Sequence, residues 1–155
     1  MLELKYEKLE LIIADSDKKE VSFNTENKNI LLDWYDIANP WEYEKSWILV
    51  EVKEYKGELY YNFLIDKKRL VIISNDSFEL KEEILSFFWD VDVLIIVWSK
   101  KSAKIFENIE AKMVIPYWEW KDIFLNTLGQ HPEEETKLKI KWEFSLDNTD
   151  FVNLV

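Results

Sequence analysis

VLIIVW at Val93–Trp98 is the longest apolar run in the chain, and the fold prediction starts from it. With Asp92 before it, this run predicts a central strand, because an unbroken series of aliphatic residues fits a strand covered on both faces. RLVIIS at Arg69–Ser74 predicts a second buried strand. Between them, an apolar stripe at helical spacing predicts a helix over 77–89. Strands that alternate with helices favour crossover connections and parallel pairing.

The segments on either side extend this prediction. On the C-terminal side, a helix capped by Ser99 or Ser102, a strand around 113–115, a helix over 119–128 stopped by Gly129, and an alternating strand over 138–144 are expected. On the N-terminal side, hairpins over 9–24 and 47–65 and a short helix over 28–37 indicate antiparallel pairing. We therefore expect an α+β fold with a mixed sheet, in which an N-terminal meander of antiparallel hairpins precedes alternating strands and helices, as a single domain over 1–155.

Composition excludes several kinds of chemistry. The 155 residues include no cysteine and one histidine, so thiolate nucleophiles and Cys-based zinc sites are excluded and Ser-His catalysis would depend on His131 alone. The two glycines, Gly57 and Gly129, are too far apart to form a glycine-rich phosphate loop. Neither a signal peptide nor a membrane-spanning run is recognisable, which favours a cytoplasmic protein without membrane contact.

The charge is strongly negative and uneven. The formal net charge is −11, and most of it comes from two stretches, 33–44 and 76–92. Such a surface repels phosphate backbones and anionic membranes, so direct binding of nucleic acid is not expected. It would instead attract a basic protein.

Tryptophan and tyrosine are concentrated beside these acids. Two clusters interleave rings with carboxylates, one after residue 33 and one near residue 118. Rigid rings dominate protein interfaces, and adjacent acids would pair with lysine or arginine on a partner. The predicted partner-binding residues are Asp33, Asp36, Trp41, Glu42, Tyr43, Glu44, Trp118 and Trp120.

In size, charge and composition the chain resembles the small acidic immunity proteins of bacterial contact-dependent and polymorphic toxin systems. The resemblance implies a protein that is not an enzyme and that occludes a basic cognate toxin domain, which is typically a nuclease. It implies no catalytic residues, no metal and no cofactor, and it leaves the oligomeric state open. A phage-type inhibitor that mimics DNA is an alternative with the same binding logic.

An enzyme is the other alternative. Trp47–Val50 followed by Glu51 and Lys53 resembles the magnesium-binding half of the PD-(D/E)xK nuclease family, and the element order predicted for 28–98 resembles that family's core. In that family a carboxylate pair holds the metal ion and the lysine orients the attacking water. Glu-x-Lys occurs eight times in this chain, however, and no partner carboxylate can be assigned, so no nuclease activity is predicted.

Overall fold

A computed structural model describes residues 1–75, 82–97, 99, 101–117, 121–141 and 148–155. Strands dominate the described part. In chain order the elements are β1 (Leu2–Glu7), β2 (Glu10–Ala14), β3 (Glu20–Asn24), β4 (Ile30–Leu32), β5 (Tyr35–Asp36), β6 (Glu42–Lys45), β7 (Ile48–Tyr55), β8 (Glu58–Ile65), β9 (Lys68–Ile73), α1 (Glu82–Leu85), β10 (Val93–Val97), α2 (Ser102–Asn108), β11 (Met113–Tyr117), α3 (Lys121–Thr127), β12 (Glu134–Glu135), β13 (Lys137–Ile140), β14 (Asp150–Phe151) and β15 (Asn153–Leu154).

The strands form two large sheets packed face to face. The first is antiparallel, in the order β13-β1-β2-β3-β4-β5, and the second runs β14-β11-β10-β9-β8-β7-β6. Within the second sheet, β6 to β9 pair antiparallel, while β9, β10, β11 and β14 pair in parallel. A small third pairing joins β12 and β15 in parallel. The mixed second sheet and the meander in the first confirm the predicted α+β fold.

Side-chain alternation creates two hydrophobic layers. In β7 the even-numbered residues Ile48, Val50 and Val52 are buried between the sheets, whereas Leu49 and Glu51 point away from that core. β10 is apolar on both faces, so Ile95 packs between the sheets and its neighbours pack under the helices. This difference follows from pattern alone, since a strand covered on both sides has no wet face to alternate with.

The described helices cover the outer face of the second sheet. Residues on all three helices, among them Ile84, Ile105 and Phe124, join the second hydrophobic cluster with Val71 and Leu94 of the sheet. The helices are four to seven residues long. Within the described part of the chain, none of them has the length and apolar character that crossing a bilayer requires.

Several sequence predictions for individual elements are confirmed. The hairpins β2–β3 and β7–β8 lie where the turn signals placed them, with Gly57 at φ 81° in the second turn. The buried strands β9 and β10 are parallel neighbours. Gly129 follows α3 at φ 69°, the left-handed conformation expected of a residue that stops a helix.

The predicted helix over 28–37 is wrong. These residues form β4 and β5, joined by a turn at Asp33 and Trp34 that takes positive φ at both positions. Ile30 and Leu32 point into the core at strand spacing. The spacing of Ile30, Leu31, Trp34 and Tyr35 fits a helix equally well, and only the sheet decides between the two.

Other differences lie at the ends of elements. Of the predicted helix over 77–89, the structure describes α1 and non-helical residues 86–89, and 77–81 lie outside the described residues. Neither predicted serine caps α2, because Ser102 Oγ donates to Val97 O and no side chain caps the helix. The sequence analysis missed β1, and β13 joins β1 in the first sheet rather than the parallel strands.

Candidate active site

Polar side chains gather at one end of the sandwich, where the parallel strands β9, β10 and β11 have their carboxyl ends. The β7–β8 turn at Gly57 reaches the same end because β8 runs antiparallel to β9, and the connection between β3 and β4 lies beside it. Ligand sites in sheets with parallel strands form outside the carboxyl ends. The strand directions therefore single out this end before any side chain is considered.

A crevice of about 260 Å³ opens at this end between the two sheets. This volume suits a small molecule or the reactive part of a larger one, at the lower limit of ordinary ligand pockets. The first sheet and its connections supply Asn27, Lys28, Asn29, Ile30, Asp36, Ile37 and Ala38, and the second supplies Gly57, Glu58, Leu59, Tyr61 and Ser74.

Tyr61 forms the inner wall of the crevice. It is 4% exposed, and its ring stacks on Phe63 with centroids 6.2 Å apart and an interplanar angle of 16°. The pKa of the Tyr61 phenol is raised to about 12, mainly by burial, with smaller contributions in the same direction from the negative charge of Asp36 and from the nearby Tyr43. The phenol therefore stays protonated at neutral pH and can donate a hydrogen bond to a ligand oxygen.

Two carboxylates line the same crevice as the Tyr61 phenol. Asp36 is exposed at the mouth of the crevice, and Glu58 is half-buried beside the β7–β8 turn. Ser74, directly after β9, is 5% exposed. A carboxylate that can accept a proton, a second carboxylate and a neutral phenol form a set of groups capable of acid–base chemistry.

A larger hollow lies at the opposite end, among the amino ends of β10 and β11, and encloses about 970 Å³. Two of the charged groups near it, Asp92 and Lys112, hold strand ends together. Asp92 accepts hydrogen bonds from the Arg69 amide at 2.8 Å and from Lys112 Nζ at 3.0 Å. Since Asp92 is committed to contacts that fix the strand ends, we take the crevice as the candidate site.

The residues of the nuclease alternative lie elsewhere. Glu51 and Lys53 project from β7 into a groove of about 560 Å³ that also contacts Trp89. Glu42 is the register partner of Glu51 in the β6–β7 hairpin, so the structure does supply a second carboxylate. The core order that the nuclease resemblance requires begins with the helix over 28–37, and two strands occupy that segment instead. The resemblance to PD-(D/E)xK nucleases is therefore not supported by the fold.

The predicted partner-binding residues divide between the crevice and the sheet edge beside it. Asp36 lines the crevice, whereas Trp41, Glu42 and Glu44 are exposed along β6. Tyr43 is half-buried and packs against the inter-sheet core, with its hydroxyl donating to Asn39 O at 3.1 Å. Trp118 and Trp120 lie outside the described residues.

Asp33 has a structural role. Its carboxylate accepts a hydrogen bond from Ser46 Oγ at 2.5 Å, and its carbonyl accepts one from Lys45 Nζ at 2.5 Å. The bond from Ser46 lowers the pKa of Asp33 below its usual value; burial opposes this shift, and the charges of Lys19 and Lys45 support it more weakly. Asp33 thus joins the β4–β5 turn to the β6–β7 turn.

Sequence reasoning missed most of the crevice, including Lys28, Glu58, Tyr61 and Ser74. A usable signal was present for two of them. Ser74 ends the buried run at Arg69–Ser74, and the carboxyl end of a parallel strand is a favoured site position. Glu58 follows the Gly57 turn, which places it at the same end.

Comparisons with known proteins relate this fold to a solved structure. No protein-family model matches the chain, and no curated protein matches its sequence. The fold is similar to a crystal structure from Thermotoga maritima described as a "putative zn-dependent hydrolase of the metallo-beta-lactamase superfamily". The TM-score is 0.76 at 14% identity, and the match covers 100% of both chains. At this identity the likeness establishes the fold.

This comparison corrects the functional interpretation of the sequence. The sequence predicted an immunity protein that inhibits the toxin of a contact-dependent system, with a phage-type inhibitor as an alternative. Neither of these proteins would be an enzyme. The fold that the whole chain shares is instead that of a protein described as a hydrolase. Small size, acidity and many aromatic rings misled the prediction, because they describe a surface and carry no information about the fold beneath it.

The residues present do not fit a catalytic zinc site. Such sites use three protein ligands drawn from sets such as three histidines, two histidines with a glutamate, or two cysteines with a histidine. A chain with one histidine and no cysteine cannot assemble any of these sets. His131 is exposed after α3, and among the described residues no three histidine, cysteine, aspartate or glutamate side chains converge on a possible metal position. The zinc chemistry named for the Thermotoga protein therefore does not transfer to this chain.

Proposed function

We propose that this protein is a hydrolase that acts without zinc, in the crevice at the carboxyl end of β9. The observation that carries the proposal is the crevice itself, in which Asp36, Glu58 and Tyr61 line one space between the sheets of a hydrolase-like fold. The similarity of the fold supports a hydrolytic enzyme. The single histidine and the lack of cysteine support a reaction catalysed by protein side chains without zinc.

Each group has a role that its environment suits. Asp36, at the open side, acts as the general base that takes a proton from the attacking water. The protonated Tyr61 phenol donates a hydrogen bond to the oxygen on which negative charge develops. Asp36 then passes this proton to the leaving group, and Glu58, half-buried, orients the attacking water by accepting its other hydrogen bond.

The charge of the crevice favours an uncharged substrate. Asp36 and Glu58 face a single cationic lining residue, Lys28, so an anionic phosphodiester would be repelled. Uncharged esters and glycosides carry no such penalty. Glycosides are hydrolysed elsewhere by a pair of carboxyl groups.

The test is a panel of uncharged nitrophenyl esters and glycosides, with a nitrophenyl phosphodiester as the anionic comparison. We expect turnover of an uncharged substrate, and a loss of roughly a hundredfold in Asp36→Asn, as for removal of a general base. Glu58→Gln should lose a similar amount. Glu110→Gln, an exposed glutamate at the opposite end, is the matched control and should retain full activity.

Two outcomes would overturn the proposal. One is the absence of turnover for every uncharged substrate in the panel. The other is an activity that survives in both Asp36→Asn and Glu58→Gln, since the crevice would then not be where the reaction occurs.

A further inference from the structure

The edge of the sandwich beside the crevice exposes an unusual concentration of apolar surface. We call this surface the aromatic edge and define it by Trp34, Tyr35, Trp41, Trp47 and Leu49. Their exposed fractions are 80%, 55%, 65%, 86% and 43%, in that order. In the described part of the chain these are five of ten exposed large hydrophobic side chains, so the exposure is concentrated in sixteen residues. A patch of this kind on a folded chain indicates an interaction surface.

Backbone conformation holds two of these rings outside the protein. Trp34 and Trp47 occupy the second position of two tight turns, at φ 69° and 67°. Positive φ is disfavoured for a bulky residue and is normally left to glycine or asparagine. The bonds from Ser46 and Lys45 to Asp33 fix the two turns against each other. The tryptophans are therefore presented by an ordered frame.

Two edge strands, one from each large sheet, border the aromatic edge. β5 is the last strand of the first sheet and β6 the last strand of the second, and within the described residues no further strand pairs with the outer side of either. An edge strand offers unpaired backbone N–H and C=O groups to an incoming extended segment. Native proteins usually prevent unwanted pairing at such edges with lysine or proline. Lys45 is the one lysine on β6, and it is bonded to Asp33 O.

The negative charge around the aromatic edge indicates that the partner segment is basic. Between residues 33 and 51 there are five carboxylates and one lysine. Glu42 and Glu44 are exposed on β6, and Glu51 is exposed opposite Glu42 on β7. A segment that carries lysine or arginine would find complementary charge there, while an acidic segment or an anionic lipid surface would be repelled.

We propose that the aromatic edge docks an extended, basic segment of another protein, which pairs with β6 as an added strand. Its backbone bonds to the free side of β6, its cationic side chains meet Glu42 and Glu44, and its apolar side chains contact Trp41 and Trp47. This inference is independent of the hydrolase proposal, because none of these four residues lines the crevice.

The experiment selects linear peptides from a displayed random library on the immobilised full chain. Enriched sequences should alternate β-branched residues with lysine or arginine, and their association rate should fall as salt rises. The double variant E42K/E44K, tested with the same peptides, should weaken binding by about thirtyfold or more, the size of a hot-spot loss. Trp47→Gly should do the same. Hydrogen exchange should slow at the amides of residues 42–45 when peptide binds.

Matched controls keep the result specific. Glu107 and Glu110 are exposed at the far end, so E107K/E110K makes the same charge change and should bind as the unaltered chain does. Circular dichroism of every variant confirms that it is folded. Asp36→Asn should lose hydrolysis and keep peptide binding, and E42K/E44K should do the reverse, so failure of one proposal is distinguishable from failure of the other.

Several outcomes would overturn the inference. These are the absence of enriched peptides, enrichment of peptides without basic residues, or undiminished binding to E42K/E44K. Sedimentation that shows a dimer lost in Trp47→Gly would assign the edge to a second copy of the chain. Binding to neutral phospholipid vesicles through Trp34 and Trp47 would assign it to a membrane.

Discussion

The crevice and the aromatic edge meet at β5, and the two regions differ in how far they expose their side chains to solvent. At the crevice, Asp36 contributes to a space whose inner wall, Tyr61, is withdrawn from solvent. Two residues earlier in the chain, Trp34 is pushed into solvent at 80% exposure. The exposed Trp34 indole lacks the stabilisation that burial would give it, whereas the buried Tyr61 ring contributes to the core. Adjacent residues of one strand therefore serve separate regions, since Tyr35 belongs to the aromatic edge and Asp36 to the crevice.

The largest expected effect distinguishes a crevice ring from an edge ring. Tyr61→Ala removes a ring that is 4% exposed and stacked on Phe63, so unfolding should become easier by about 3–5 kcal/mol, as for other large buried rings. Denaturant unfolding measures it. Tyr61→Phe, which keeps the ring, is the control. A loss below about 1 kcal/mol in Tyr61→Ala would mean that the crevice wall is not part of the core.

The second effect concerns alkaline pH. The pKa of Tyr61 is raised in the folded protein, from 10.0 to about 12, so its stabilising contribution is complete below about pH 10 and is lost as pH rises towards 12. Each unit of pKa difference corresponds to about 1.4 kcal/mol. Tyr61→Phe should therefore lose less stability than the unaltered protein over this interval.

Asp36→Asn tests the link between Tyr61 and the mouth of the crevice. Removing the negative charge should lower the pKa of Tyr61, which absorbance titration of the phenol measures. An unchanged titration curve would separate Asp36 electrostatically from the inner wall of the crevice.

A smaller effect, of opposite sign, is expected at the aromatic edge. Trp47→Gly should stabilise the chain by about 1 kcal/mol, because glycine takes positive φ without steric cost and the indole is 86% exposed. Trp34→Gly should behave alike. Thermal unfolding measures both, and Trp89→Gly, whose ring stacks on Arg69 at 3.8 Å, is a contrasting control that should destabilise. A destabilised Trp47→Gly would show that the indole packs against the protein.

The smallest effect is expected for Trp41→Ala. The ring is 65% exposed and lies 6.5 Å from the Tyr43 ring, so the free energy of unfolding should change by about 0.5 kcal/mol or less. Chemical denaturation with and without a bound basic peptide separates stability from docking. If the free energy of unfolding fell by as much as it does for a buried ring, Trp41 would be part of the core and not of the aromatic edge.

The sequence predicted the fold best where pattern and turn chemistry agree. β7 and β8 alternate around a glycine turn, and β9 and β10 are unbroken apolar runs, so both strand pairs could be recognised. The segment 28–37 could not, because its left-handed turn falls on Asp33 and Trp34, which carry no glycine signal. The strand that pairs with β13 could not be predicted either, because β1 lies near the opposite end of the sequence.

The candidate sites were predictable only in part. Exposed rings and acids between residues 33 and 44 are local in sequence, so the edge could be suspected from composition. The crevice combines Lys28, Asp36, Glu58 and Ser74 from four separate connections and strand ends. Such a site exists only after the two sheets have packed, and no spacing along the chain records it.

The fold of this chain is similar to that of a protein described as a putative zinc-dependent hydrolase, and the proposal is that this chain works through its own side chains. The most direct measurement is the rate at which the protein hydrolyses its best uncharged panel substrate after exhaustive chelation, with and without added Zn²⁺. We predict equal rates in the two conditions and a roughly hundredfold loss in Asp36→Asn under both. A rate that disappears on chelation and returns with zinc would contradict the claim.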